Sequence, residues 1–205
     1  MDVVTTNSQA KLRQQLRAAR RNLTPREQRL AALGVATQVS RSRYFRTSKR
    51  IACYFAADGE IETDALIERI WQTGKTCYMP ILTYLIGERL WFAPVTQDSK
   101  FVTNRFGILE PVAKSRSLLD ARELDLVLMP LVGFDKLGNR VGMGGGFYDR
   151  TLAFMHHRHR WHRPRLMGLA HALQQTDPLS TNPWDVPLDA VATDRELFLF
   201  NRDKN

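Results

Sequence analysis

Four glycines within five positions, Gly142, Gly144, Gly145 and Gly146, with Met143 between the first two, are the residues best suited to holding an anion. Glycine lets backbone approach a ligand closely and turn N–H groups toward it. The full stretch runs Asp135-Lys136-Leu137-Gly138-Asn139-Arg140-Val141-Gly142-Met143-Gly144-Gly145-Gly146-Phe147-Tyr148-Asp149. It follows a strongly apolar run and precedes a helical pattern, and a helix N-terminus favours phosphate. Arg140 adds a planar cationic fork. Asp149 offers a carboxylate of the kind that holds Mg²⁺ beside a nucleotide. A flexible turn leading into a helix cap has the same composition, so both readings stand. Two familiar nucleotide motifs fail. Counting Gly-x-Gly-x-x-Gly from Gly142 ends on Phe147, and Gly74-Lys75-Thr76 has Arg69 where a Walker loop needs glycine. That triplet reads as a helix stop before a strand.

A second stretch, Phe55-Ala56-Ala57-Asp58-Gly59-Glu60-Ile61-Glu62-Thr63, places an aromatic ring and a carboxylate between a strand and a helix. A carboxylate there can accept two hydrogen bonds from an N–C–N edge such as a pterin's; an acidic loop capping the next helix is the alternative. Arg13, Arg17, Arg20 and Arg21 recur at helical spacing and form one basic face, either solvated or phosphate-contacting. Asp189, in Trp184-Asp185-Val186-Pro187-Leu188-Asp189, stands among apolar residues where a strand can begin, and reads first as a turn residue. If a helix continues through 156–162, His156, His159 and His162 share a face. Arg158, Arg160 and Arg163 surround them, and that charge opposes a metal cation.

The elements that must position these residues alternate in type. Ser8 can cap a first helix carrying Leu12 and Leu16. Thr24-Pro25-Arg26-Glu27 has the cap, first-turn proline and third-position glutamate of a helix start, predicting a helix to about Ser40. Strands are predicted at 51–55, 76–82, 90–95, 124–131, 166–170 and 197–200. Helices are predicted at 63–73, with Leu66, Ile67, Ile70 and Trp71 on one face, and from about Tyr148. The pattern predicts a layered α/β domain with a mixed, largely parallel sheet flanked by helices, behind an N-terminal helical segment. A hairpin near Gly87 makes the sheet mixed. No linker divides residues 1–205, which read as one domain with flexible ends at about 1–10 and 202–205.

Bulk properties exclude several classes. There is no apolar run near the ~20 residues of a membrane span. The N-terminus lacks the apolar stretch of a secretory signal; its basic, partly amphipathic pattern is shared by transit peptides and ordinary basic helices. Cys53 and Cys77, each inside an apolar run, form neither a disulfide framework nor a zinc site and fit a reducing compartment, here the cytoplasm. Thirty Lys and Arg against 21 Asp and Glu give a net charge of +9. This attracts polyanions, whether nucleic acid or a small phosphate- or carboxylate-bearing substrate. A basic nucleic-acid-binding protein is therefore one reading, although no recognisable nucleic-acid module or aromatic ladder supports it.

Taken together, these stretches resemble the 5-formyltetrahydrofolate cyclo-ligase family, over about Lys11 to Asp194. The carriers are Arg13 to Arg17, Glu60-Ile61 with Thr63, Gly107-Ile108 with Glu110-Pro111, the long signature from Met129 to Asp149, and the segment ending at Asp189. The resemblance implies ATP contacts at Arg13, Gln14, Gln15, Leu16 and Arg17 and at Arg140, Val141, Gly142, Met143, Gly144, Gly145, Gly146, Phe147 and Tyr148. It implies folate contacts at Phe55 and Glu60 and along Met143 to Phe147, and a magnesium site at Asp149 and Asp189. The implied reaction is phosphorylation of the formyl oxygen of 5-formyltetrahydrofolate by ATP, then ring closure by N10 to 5,10-methenyltetrahydrofolate. Catalysis would rest on positioning and on charge stabilisation by Mg²⁺ and Arg140, in a monomer acting on small molecules. Some members carry Arg and Lys where this chain has Met143 and Gly145, and two tyrosines where it has Phe147-Tyr148. Two phosphate-side charges and one hydroxyl are therefore missing, which predicts altered ATP affinity and keeps a non-catalytic folate or nucleotide binder as a further reading.

Overall fold

The computed structural model describes residues 3–83, 89–104, 107–157 and 163–200. Helices α1 (Val3–Arg21) and α2 (Pro25–Arg41) come first, followed by the short α3 (Arg43–Thr47). The first helix is continuous through Ser8 and begins at Val3, so Ser8 does not cap it. The second starts as expected. The Thr24 hydroxyl accepts from the Glu27 amide while Glu27 accepts from the Thr24 amide, a closed capping box that satisfies donors left over at the helix start.

Strands β1 (Arg50–Ala52), β2 (Thr76–Thr83) and β3 (Arg89–Val95) follow, with helix α4 (Asp64–Gln72) between the first two. A small hairpin, β4 (Phe101–Thr103) with β5 (Leu109–Pro111), precedes β6 (Leu126–Pro130). A second small pair, β7 (Gly133–Phe134) with β8 (Arg140–Val141), leads into α5 (Phe147–Leu152). The chain closes with β9 (Arg165–Ala170), β10 (Ala190–Thr193) and β11 (Leu197–Leu199).

Among the described residues, seven strands form the main sheet in the order β11-β10-β9-β6-β1-β2-β3. The five inner strands are parallel, and β3 and β11 run antiparallel at the two edges. The predicted mixed, largely parallel sheet with flanking helices is thus present. Side chains alternate along the buried strands. Ile51, Leu126, Leu128, Met167 and Ala190 join one core with α2 and α4. Ala52, Val127, Met129, Leu166 and Val191 join the other, with Leu131, Phe134, Leu152 and Leu188. Burial on both faces explains why these strands read as continuous apolar runs. Both cysteines are buried free thiols, as expected of small core residues.

Three local expectations change. The first strand ends at Ala52, because residues 53–55 turn out of the ladder into the acidic loop; only the Cys53 amide still bonds across, to Tyr78 O at 2.8 Å. The Gly107–Pro111 segment supplies a strand that was not predicted. The last predicted helix ends at Leu152 and tightens into a 3-10 turn through His157. Residues 158–162 and the turn near Gly87 lie outside the described residues.

Candidate active site

In an open α/β sheet the strand carboxyl ends form the natural ligand edge, because the loops leaving them converge there. Two of the loops singled out from sequence meet at this edge. One leaves β1 and carries Phe55, Asp58 and Glu60; the other leaves β8 and carries Gly142 to Gly146. Helix α1 lies against both. The Arg13 guanidinium donates through Nε to Gly142 O at 3.0 Å. Arg17 donates to an Asp58 oxygen at 2.7 Å, and Arg21 also pairs with this carboxylate. The basic face of the helix is therefore largely engaged with these loops and is not a row of free phosphate contacts.

Arg20 is wholly buried, at 0% exposed. Its Nε donates to Asp58 O at 2.8 Å, Nη1 to Leu131 O at 3.0 Å, and Nη2 to the Asp58 carboxylate at 3.0 Å. Nη2 also lies 3.6 Å from Glu60 Oε1 and 3.9 Å from the Met143 sulfur. One guanidinium thus joins α1, the acidic loop, the end of β6 and the glycine loop. A buried charge is tolerated only when so partnered. The sequence placed Arg20 on a helix face but did not reveal this.

Asp58 and Glu60 are two residues apart and differ sharply. Burial acts upward on the Asp58 carboxyl, but the hydrogen bonds from Arg17, Arg20 and Arg21 outweigh it and hold the group at about 2. Glu60 is more deeply enclosed, and burial pushes its carboxyl up to about 7 against the bond from the Ala57 amide and the attraction of Arg20. Its charge also lifts the phenols of Tyr54 and Tyr148, second in each case to burial. Asp58 and Gly59 both have positive φ, 54° and 75°. A Cβ at Gly59 would lie 3.2 Å from Arg20 O, so the tight turn and the close approach to α1 both call for glycine there. His171 caps the same turn, its ring nitrogen 3.2 Å from Gly59 O. Gln174 donates to Leu131 O and Val132 O at 2.8 and 2.9 Å. Asp58, His171 and Gln174 were not identified from sequence. The Asp58-Gly59 turn dipeptide was the available signal for the first; the other two depend on tertiary contact. Phe55 packs edge-on against Phe101, with ring centroids 5.1 Å apart, which brings the β4–β5 hairpin over this loop.

The glycine loop is more open. Met143 is 51% exposed, and a Cβ at Gly142 or Gly144 would meet nothing within 4 Å. At its far end, a Cβ on Gly146 would fall 2.8 Å from Nη1 of Arg150, whose guanidinium stacks 5.0 Å over the Phe147 ring. Gln14, Gln15 and Leu16 lie on α1 between Arg13 and Arg17, and Leu16 approaches Gly133: a Cβ there would be 2.7 Å from its methyl. Arg140 faces neither open solvent nor the loop alone. It pairs with Asp149 and donates to Val186 O, and Val186 N bonds back to Asp149 at 3.3 Å, with the Arg140 side chain 7% exposed.

Asp149 and Asp189 differ in exposure and in partners. Asp149 stands at the start of α5, partly exposed at 26%. Asp189 is 1% exposed at the amino ends of β9 and β10. One of its oxygens accepts from Arg165 at 2.9 Å and the other from the Leu166 amide at 2.7 Å. Among the described residues no three His, Cys, Asp or Glu side chains gather as a metal site. No described helix is long and apolar enough to cross a membrane.

Residues 5–194 match the model of the 5-formyltetrahydrofolate cyclo-ligase family. A 5-formyltetrahydrofolate cyclo-ligase of Haemophilus influenzae is 40% identical over 187 residues, 90% of this chain and 97% of the relative. One from Escherichia coli K12 is 37% identical over 183 residues, 89% of this chain and 98% of the relative. The solved 5,10-methenyltetrahydrofolate synthetase of Aquifex aeolicus superposes with a TM-score of 0.78 at 27% identity, over 96% of this chain and 94% of the other.

Proposed function

The chain belongs to the 5-formyltetrahydrofolate cyclo-ligase family, and from that premise we propose that it closes the ring of 5-formyltetrahydrofolate to 5,10-methenyltetrahydrofolate at the expense of ATP. The observation that carries the reading is the junction of two loops of different chemistry through α1: an open, glycine-rich loop suited to phosphate, and an enclosed carboxylate suited to a pterin edge.

In this reading ATP lies along the Gly142–Gly146 loop, with Arg13 and Arg17 on one side and the start of α5 on the other. Arg140 exchanges its present partners for the phosphates, and Tyr148 borders the nucleotide. The pterin ring is held by Glu60 and Phe55, with Met143 to Phe147 between the two ligands. The formyl oxygen attacks the γ-phosphorus, an O–P bond forms, and the bond to ADP breaks. N10 then attacks the formyl carbon and loses its proton, and the C–O bond breaks to release phosphate. No protein nucleophile is needed, so the residues contribute orientation and charge stabilisation.

Asp149 fits magnesium well, being a partly exposed carboxylate beside the loop; the ion, when bound, would offset charge on the phosphates. Asp189 fits it poorly. Both its oxygens are taken by Arg165 and Leu166 and it is 1% exposed, so we assign it to anchoring β9 and β10. The small-molecule reaction is placed in the cytoplasm with a monomeric chain, a setting that suits two buried free thiols. The nucleic-acid reading loses its main support because the arginine face of α1 is engaged internally. The deciding experiment follows methenyl product from 5-formyltetrahydrofolate and ATP. Turnover dependent on both substrates is expected, and binding of either without product would leave a non-catalytic binder.

A further inference from the structure

Arg20 does more than an internal staple requires. Its bonds to Asp58 and Leu131 O already pair the buried charge. Yet Nη2 also faces Glu60 at 3.6 Å, too far to be a hydrogen bond and close enough for strong Coulomb attraction in an enclosed setting. Glu60 Oε2 accepts from the Ala57 amide at 3.1 Å. Among the described residues Oε1 has only the ion pair, so one oxygen is aimed and left able to accept from a ligand. The same Nη2 touches the sulfur of Met143 on the glycine loop.

We propose that Arg20 is a positioning residue for the folate side of the reaction: it keeps the Glu60 carboxylate charged and aimed at substrate, and through Met143 it ties that state to occupancy of the glycine loop. This rests on the function proposed above. The groups facing Glu60 are Arg20 and Arg17 from α1, Asp58 from its own loop, Tyr54 from the end of β1 and Tyr148 from α5. Of these side chains the two arginines favour the charged carboxylate, as does the Ala57 amide; burial and the Asp58 carboxylate work against it. Arg20 is the nearer cation and the buried one. Without it, Glu60 would be protonated over more of the neutral range, and a pterin N–H edge would lose an acceptor.

The test compares wild type, Arg20→Gln, Arg20→Lys and Glu60→Gln in the methenyl assay from pH 5.5 to 9, a range of about three and a half units spanning the expected titration. Wild-type turnover tests the function itself. For the inference, the acid limb of kcat/KM for folate should move up by about one pH unit or more in Arg20→Gln, stay near its wild-type place in Arg20→Lys, and vanish in Glu60→Gln. Folate affinity is also measured with and without a non-hydrolysable ATP analogue. Whatever ratio wild type shows should fall toward unity in Arg20→Gln. An unchanged limb in Arg20→Gln, with activity lowered equally at every pH, would reduce Arg20 to a fold-holding residue. If Arg20→Gln does not fold, Glu60→Gln still decides, since an acid limb that survives there overturns the proposal.

Discussion

Asp58 and Met143 sit on neighbouring loops and touch the same arginine, yet their surroundings have little in common. Asp58 is gripped by three guanidiniums, its turn is backed by His171 and the α1 backbone, and its conformation is set before any ligand arrives. Met143 is half exposed on a loop whose glycines have open space around them, tied to α1 mainly by one bond from Arg13. The acidic loop is preorganised by side chains. The glycine loop has open space around Gly142 and Gly144, and in the proposed reading its backbone donors serve phosphate. A polar, planar ligand benefits from a fixed acceptor, whereas a flexible polyphosphate benefits from backbone that can close around it.

Four experiments sharpen or break this contrast. The largest effect is expected from metal removal: chelation should abolish turnover, and full activity after thorough chelation would refute the magnesium reading. Asp149→Asn should raise the magnesium concentration needed for half-maximal turnover, while Asp189→Asn should lower the thermal midpoint and leave the metal response unchanged. Next comes Arg140→Ala, expected to lower kcat by roughly 100-fold or more, as loss of a group stabilising transition-state charge does. Arg140→Lys should restore only part, because an ammonium lacks the fork. Arg21→Ala, measured in parallel, should change turnover little. Wild-type turnover in Arg140→Ala would show that its pairing with Asp149 is purely structural.

Glu60→Gln should weaken folate binding by about 1.5–3 kcal/mol, roughly ten- to hundredfold, and ATP binding much less. Equal loss of both, with the fold intact, would argue against the pterin contact. The pH dependence has a definite sign. The Glu60 carboxyl is raised from 4.5 to about 7 in the folded chain. The folded state therefore binds the extra proton between those values, and stability falls as pH rises across them. Urea titrations should show that slope flattened in Glu60→Gln. Asp58, lowered from 3.8 to about 2, contributes in the other direction, stabilising above 3.8 and losing that contribution as pH falls through about 2.

The smallest effects come from paired glycine substitutions. Gly59→Ala combines a positive φ with a 3.2 Å approach to α1 and should cost about 1–3 kcal/mol in urea melts. Gly142→Ala meets nothing within 4 Å and should leave stability nearly unchanged while raising the KM for ATP a few-fold, roughly 1 kcal/mol. Equal destabilisation by the two would contradict the view that only the acidic loop is preformed.

Local patterning in the sequence was sufficient for the alternation of strands and helices, the capping box at Thr24 and the buried cysteines. Each depends on neighbours within a few residues, through periodicity or capping. The likeness carried by the long signature named the family. Burial and charge partners came only from the tertiary structure. Arg13, Arg17, Arg20 and Arg21 form one stripe on paper, but folding sends Arg20 inside against Asp58, Glu60 and Leu131, and the others to loops 37–129 residues away in sequence. Asp149 and Asp189 look alike in sequence, and the fold gives them different surroundings: one is partly exposed and paired with Arg140, the other is buried against Arg165. A side chain's charge environment is the sum over whatever the fold brings near it, and residues distant in sequence supply most of that sum.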